Sequence, residues 1–174
     1  MTRKLLLALP ILLGACAALP ALQPVGESAS LPRDAVIGAG DPTRAAALSV
    51  GTAFTTRSVL VGTPAQQARV IGNMEYLAVN TASPMLEAAP PTLRPQMRAA
   101  RAEWRQALGI PAEAPAQQVI DQLYAAARAL DSGMQPPISL AALEARPALP
   151  NTAAAAQTAA LAVQQRDRTE RAPR

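Results

Sequence analysis

The sequence predicts an all-α fold, a small up-down bundle of three to four helices with a proline-rich N-terminal tether and an alanine-rich C-terminal helix. Alanine supplies 41 of the 174 residues, whereas the chain has one Phe, one Trp and two Tyr. This composition suits helices that pack closely through small side chains, and it lacks the β-branched and aromatic faces of a β-sandwich. Apolar residues also recur at helical spacing, and several such segments begin with a capping residue followed by proline.

The first sixteen residues carry the most specific motif of the chain. Two cations precede an apolar stretch at 5–13, which ends in four residues of characteristic type: Leu13, Gly14, Ala15 and Cys16. A branched apolar residue, two small residues and a cysteine in this position resemble the signal peptide of bacterial lipoproteins. The resemblance covers residues 1–16 only, and Cys16 is the only cysteine of the chain.

This resemblance implies a lipidated protein. In that family the cysteine sulfur receives a diacylglyceryl group, residues 1–15 are removed, and the new amine usually receives a third acyl chain. Each buried methylene contributes roughly 0.8 kcal/mol, so two or three chains on Cys16 hold a protein firmly on a lipid bilayer. Ala17 and Ala18 follow the cysteine, with no Asp in the next position. The sorting rule of enteric lipoproteins then favours the periplasmic face of the outer membrane over the inner membrane.

Three other interpretations of the N-terminus remain open. The stretch 5–22 reaches the lower length limit of a transmembrane helix, although two prolines and a glycine interrupt it. The small residues on both sides of Cys16 also fit an ordinary secretory cleavage site, which would release a soluble protein. The third interpretation is a chance apolar N-terminus on a cytosolic protein.

Residues 16–40 are predicted to form a lipidated tether that lifts the domain off the membrane. They contain three prolines and three glycines among small and polar residues, which is typical of extended linkers. Removal of residues 1–15 lowers the formal net charge from +4 to +2, because Arg3 and Lys4 are lost. So small a charge does not indicate nucleic-acid binding, and we expect no nucleic-acid partner.

Residues 41–131 are predicted to form the helical domain. Asp41 and Pro42 are a helix-start signal, and we expect the first helix to continue through Val61 and to end at Gly62. The threonines and valines of this segment leave a strand open as an alternative.

Two further proline signals follow the first helix. Thr63, Pro64 and Gln66 form a capping-box pattern with proline at the first helical position, which predicts a second helix. Ser83 and Pro84 repeat the cap-then-proline pattern and predict a short turn.

The segment 92–108 has the clearest helical periodicity. Its apolar stripe contains five residues: Leu93, Met97, Ala100, Trp104 and Leu108. Gly109, Ile110 and Pro111 predict a left-handed glycine cap at its end. Only about five residues separate it from the next predicted helix, at 115–130, so we expect the two helices to be antiparallel neighbours.

Residues 132–174 are predicted to form an extension rich in proline and alanine. We expect Asn151 to cap a helix at about 152–165, which has high intrinsic helicity but few large apolar residues with which to dock. The charged segment 166–174 is predicted to be a frayed tail.

The residue types exclude several kinds of chemistry. The chain has no His, and its only Lys, Lys4, lies in the segment 1–15 that the lipoprotein resemblance implies is removed. The mature chain would therefore lack the usual general base, the amine for Schiff-base catalysis and the ligands of most transition-metal sites. Neither a glycine-rich phosphate loop nor a Gly-x-Ser-x-Gly elbow occurs. We therefore predict that the protein is not an enzyme, and that it has no metal and no cofactor besides the covalent lipid on Cys16.

One pattern of charged residues indicates a candidate binding surface. Four arginines lie along one row of the predicted helix 92–108: Arg94, Arg98, Arg101 and Arg105. They predict a docking face for anionic groups, such as lipid phosphates or an acidic protein partner. The alternative, which we favour, is a solvated helix face whose guanidinium stems cover the edge of the core.

These observations favour a non-catalytic lipoprotein of the cell envelope that serves as a scaffold or binds an envelope protein partner. The alternative is a carrier of a small ligand or lipid that uses a groove between helices. Trp104 is expected to fill the core rather than to stack on a ligand.

Overall fold

The computed structural model describes residues 27–36, 40–55, 62–145 and 147–172. Six α-helices are present in this part of the chain: α1 (Pro42–Ala53), α2 (Pro64–Val79), α3 (Leu93–Leu108), α4 (Ala116–Asp131), α5 (Ala141–Glu144) and α6 (Pro150–Arg171). Two 3-10 turns lie at Arg33–Ala35 and Pro84–Leu86. The described residues contain no β-strand, and the predicted all-α class is confirmed.

Three of the predicted capping signals act as the sequence predicts. The carboxylate of Asp41 accepts a hydrogen bond of 2.9 Å from the backbone N–H of Arg44 at the start of α1. Thr63 and Gln66 form a reciprocal capping box at the start of α2. At the end of α3, Gly109 adopts a left-handed conformation with φ of 65°.

The first helix is shorter than the sequence predicts. α1 ends at Ala53 rather than at Val61, and the backbone N–H of Phe54 closes the last turn on Val50 O at 3.0 Å. Phe54, the residue that follows α1, is fully buried in the core. Residues 56–61 lie outside the described part of the chain.

Four helices enclose the main core. α2 packs against α1 and α3, and α6 packs against the same two helices from the other side. Fully buried side chains of this core come from all four helices or their ends, among them Phe54, Met74, Trp104 and Val163. Trp104 therefore fills the core, as predicted.

The predicted pairing of α3 with α4 is wrong. α4 packs mainly against α2, where Tyr124 is buried and donates a hydrogen bond of 2.7 Å to Asn73 Oδ1. α3 places its apolar stripe against α6 and α2 instead. A short connection limits the distance between the ends of two helices but does not choose the face on which the second helix packs.

The C-terminal helix belongs to the core rather than to a weakly docked extension. α6 continues to Arg171, well beyond the predicted end at 165, and most of its alanines are buried against α1 and α3. Small side chains permit this because they let the helix backbones approach closely. A Cβ atom added to Gly51 of α1 would lie only 2.4 Å from the Cβ atom of Ala160.

The cap of α6 also differs from the prediction. Asn151 lies inside the helix, and the carboxylate of Glu103 on α3 accepts hydrogen bonds from the backbone N–H groups of Asn151 and Thr152, at 3.1 and 2.8 Å. A carboxylate suits the positive end of a helix dipole. At the other end, Asp167 accepts hydrogen bonds from Arg44 of α1, which extends the ordered helix into the predicted tail.

Candidate functional site

A cluster of charged residues lies between α2 and α3. We call it the Glu75 cluster, and its members are Glu75, Arg101, Trp104, Arg105 and Glu27. Glu75 is fully buried, and Arg105 is 4% exposed. Buried charges are costly unless they are paired and hydrogen-bonded, so the contacts of this carboxylate determine whether the arrangement is stable.

Both oxygens of Glu75 are occupied by donors from α3. Oε1 accepts a hydrogen bond of 2.8 Å from Arg101 Nε and another from Arg105 Nη2. Oε2 accepts hydrogen bonds from Trp104 Nε1 at 2.9 Å and from Arg105 Nε at 3.3 Å. Arg101 Nη2 also lies 2.6 Å from Oε1, as an ionic contact without good hydrogen-bond geometry. Glu75 thus holds α3 on α2 through contacts to three side chains of that helix.

Arg105 extends the cluster into the connection between α3 and α4. Its Nη1 donates hydrogen bonds to Pro111 O at 3.1 Å and Ala112 O at 2.6 Å, and its Nη2 donates one to Ala114 O at 2.8 Å. One buried guanidinium therefore satisfies three backbone carbonyls of a loop that has no regular structure. These contacts fix the path of the chain as it leaves α3.

The exposed end of the cluster is closed by Glu27. Its Oε2 accepts a hydrogen bond of 2.7 Å from Arg101 Nη1, and its Oε1 accepts one of 2.6 Å from the backbone N–H of Ala116, the first residue of α4. The hydrogen bond from Arg101 is the main reason that the pKa of Glu27 is lowered. Burial by itself would lower the pKa of Arg101, but the carboxylates of Glu27 and Glu75 outweigh it and raise that pKa.

Residues 27–36 therefore form part of the folded domain. We call them the N-terminal strap. Beyond Glu27, the backbone N–H of Ser30 donates a hydrogen bond of 2.8 Å to Gln117 Oε1, and Arg128 forms an ion pair of 3.2 Å with Asp34. The sequence placed these residues in the tether 16–40, whereas the structure places them against α3 and α4.

The predicted arginine row is divided by the structure. Arg101 and Arg105 are turned toward Glu75 and are paired within the domain, so they are not a surface for an external anion. Arg94 and Arg98 are exposed, and within the described residues neither forms an ion pair. Of the four arginines predicted to form a docking face for anionic groups, only Arg94 and Arg98 remain available for that role.

An open groove lies beside the loop that Arg105 holds. It has a volume of about 370 Å³ and lies between this loop, α4 and the segment around α5. Apolar side chains form most of its wall, among them Ile110, Val119, Leu123, Ile138 and Leu143, with Gln118, Gln122 and Ser139 also lining it. The groove can receive a few apolar side chains or a small apolar molecule, with the two amides available for hydrogen bonds.

The predicted lipidation site lies outside the described residues. This holds for Cys16 and for the preceding Leu13, Gly14 and Ala15. In the described part of the chain, none of the helices combines the length and the apolar character that crossing a membrane requires. Among the same residues, no three His, Cys, Asp or Glu side chains converge to form a metal site.

The roles of Glu75 and Glu27 in the Glu75 cluster were not predicted from the sequence. A signal for Glu75 was present, because this charge lies among apolar positions of α2, next to Met74 and four residues after Ile71. A carboxylate at such a position needs a buried cationic partner, and the arginine row of the helix 92–108 contains residues that can pair with it. Glu27 carries no comparable signal, since its partners are distant in sequence.

Comparison with protein-family models, curated proteins and solved structures finds no match to this chain.

Proposed function

We propose that this chain is a lipid-anchored envelope protein whose helical domain binds a protein partner without catalysing a reaction. The anchor rests on the lipoprotein-type motif that ends at Cys16 and on the absence of any other cysteine. The binding role rests on the groove between the α3–α4 loop, α4 and α5.

The groove is the observation that carries the binding role. Its volume of about 370 Å³ lies at the lower end of the range for small-molecule pockets, which is roughly 300–1,000 Å³. It is also open to solvent along one side, with Gln118 and Gln122 exposed beside it. Protein interfaces are commonly dominated by one or two apolar anchors that fill such a pocket, surrounded by a polar rim.

A photo-crosslinking amino acid at Gln122 tests this role in intact cells. We expect one dominant crosslinked protein, identified by mass spectrometry, because an occupant of the groove lies within reach of this position. The matched control is the same amino acid at Leu161, an exposed residue of α6 that does not line the groove. Ala142→Trp, which places a large ring in the groove, should reduce the Gln122 crosslink at least tenfold. Equal crosslinking from both positions, or none from Gln122, would contradict a partner in the groove.

The same groove supports a second candidate, a carrier of a small ligand or lipid. A carrier should purify with a bound small molecule that native mass spectrometry detects, and Ala142→Trp should remove it. This outcome, without a protein crosslinked from Gln122, would favour the carrier.

The anchor is tested separately at Cys16. Cys16→Ser should abolish metabolic labelling with palmitate and leave an unprocessed precursor in the membrane fraction. Continued processing to a soluble form would instead favour ordinary secretory cleavage.

A further inference from the structure

The docked strap determines how much chain is left to act as a tether. Glu27 is held by Arg101 and by the first backbone N–H of α4, so the distance between the anchor and the domain is set by the segment from Cys16 to Glu27, with ten residues between these two ends. Such a segment spans at most about 40 Å when fully extended. As a relaxed coil it has an average span of roughly 20 Å.

This length is short in relation to the domain. A compact domain of this size has a radius of gyration of about 15 Å, and hence a diameter of about 40 Å. A relaxed tether is therefore shorter than the domain is wide. If Cys16 is lipidated, the side of the domain that carries Glu27 faces the bilayer for most of the time.

The side that carries Glu27 also carries the two exposed arginines of the row. Arg98 and Arg101 line the same surface depression, and Arg94 lies one helical turn before Arg98. We call Arg94 and Arg98 the Arg94–Arg98 face. The neighbouring loop contributes one exposed carboxylate, Glu113, while Glu27 is neutralised by Arg101.

We propose that the domain rests with its Arg94–Arg98 face against the anionic phospholipid headgroups of the membrane that carries its anchor. This inference rests on the proposed lipid anchor. A guanidinium forms paired hydrogen bonds with phosphate oxygens. Each arginine near an anionic surface strengthens binding roughly fivefold, which is weak for a free protein but sufficient to orient one that the tether already holds there.

Chemical coupling tests the orientation without relying on processing in cells. The chain from Cys16 onward is coupled through this single thiol to a maleimide lipid in vesicles of phosphatidylcholine, with or without phosphatidylglycerol. Arginines are then modified with phenylglyoxal, and each site is quantified by mass spectrometry. Arg69 is the control, since it lies on α2 about 120° around the helix from Glu75 and pairs with Asp131.

On anionic vesicles we expect modification of Arg94 and Arg98 to be at least fivefold slower than in the uncoupled chain, with Arg69 unchanged. The protection should be smaller on neutral vesicles, and it should disappear in about 1 M salt, where charges are screened within about 3 Å. Unchanged modification of Arg94 and Arg98, or equal protection of Arg69, overturns the proposal. Because the coupling replaces the biological lipid, such a result would leave the proposed anchor intact, whereas the Cys16→Ser experiment tests the anchor alone.

Discussion

Replacing Glu75 with glutamine tests whether the buried cluster holds α3 on α2. The change keeps the shape of the side chain and an acceptor for Trp104, but it removes the negative charge that faces Arg101 and Arg105. Breaking a buried ion pair by removing one partner typically costs about 3–5 kcal/mol. We expect about 3 kcal/mol, because Arg101 keeps Glu27 and Arg105 keeps three backbone carbonyls.

Urea unfolding followed by the fluorescence of Trp104, the only tryptophan, measures this loss. With a slope of about 2 kcal/mol per M, the unfolding midpoint should fall by roughly 1.5 M without a change in slope. The matched control is Glu113→Gln at an exposed loop carboxylate, which should change the free energy of unfolding by less than about 0.5 kcal/mol. A loss below about 1 kcal/mol for Glu75→Gln would refute the reasoning, since it would mean that the two guanidinium groups do not depend on this carboxylate.

The remaining predictions concern Tyr124 of α4 and the contact between α1 and α6. Burial raises the pKa of Tyr124 to about 12, so the tyrosine of the unfolded chain ionises at lower pH than that of the folded chain. The free energy of unfolding should therefore fall by about 2 kcal/mol between about pH 9 and pH 11.5. In urea unfolding, Tyr124→Phe should remove most of this alkaline loss, and an unaltered pH profile would contradict the assignment. Gly51→Ala should lower the free energy of unfolding by about 1–2 kcal/mol in spite of the higher helix propensity of alanine, because the new methyl group meets Ala160 at 2.4 Å. An increase in the thermal unfolding temperature of Gly51→Ala would show that α1 and α6 can separate at little cost.

Local signals in the sequence predicted the local structure well. The capping box of Thr63, the cap at Asp41 and the left-handed turn at Gly109 all depend on residues within a few positions of each other. For this reason the starts of α1 and α2 and the end of α3 could be predicted. The end of α1 could not, because no glycine or proline lies between Ala53 and Gly62 to mark it.

The candidate site was predicted only in part, because its partners come from separate elements. The sequence drew attention to Arg101 and Arg105, but helical spacing alone does not show whether a row of arginines faces solvent or a buried carboxylate. Glu75 decides this, since it turns both side chains inward and leaves Arg94 and Arg98 exposed.

By itself, the sequence determined the all-α class, the starts of α1 and α2 and the lipoprotein-type motif, because each depends on composition or on a short run of residues. Only the tertiary structure decided that α6 joins the core, that α4 packs on α2, and that residues 27–36 are a strap rather than free tether. These outcomes depend on the close approach of small side chains and on pairing between charges far apart in the chain. Neither is set by any local stretch of sequence.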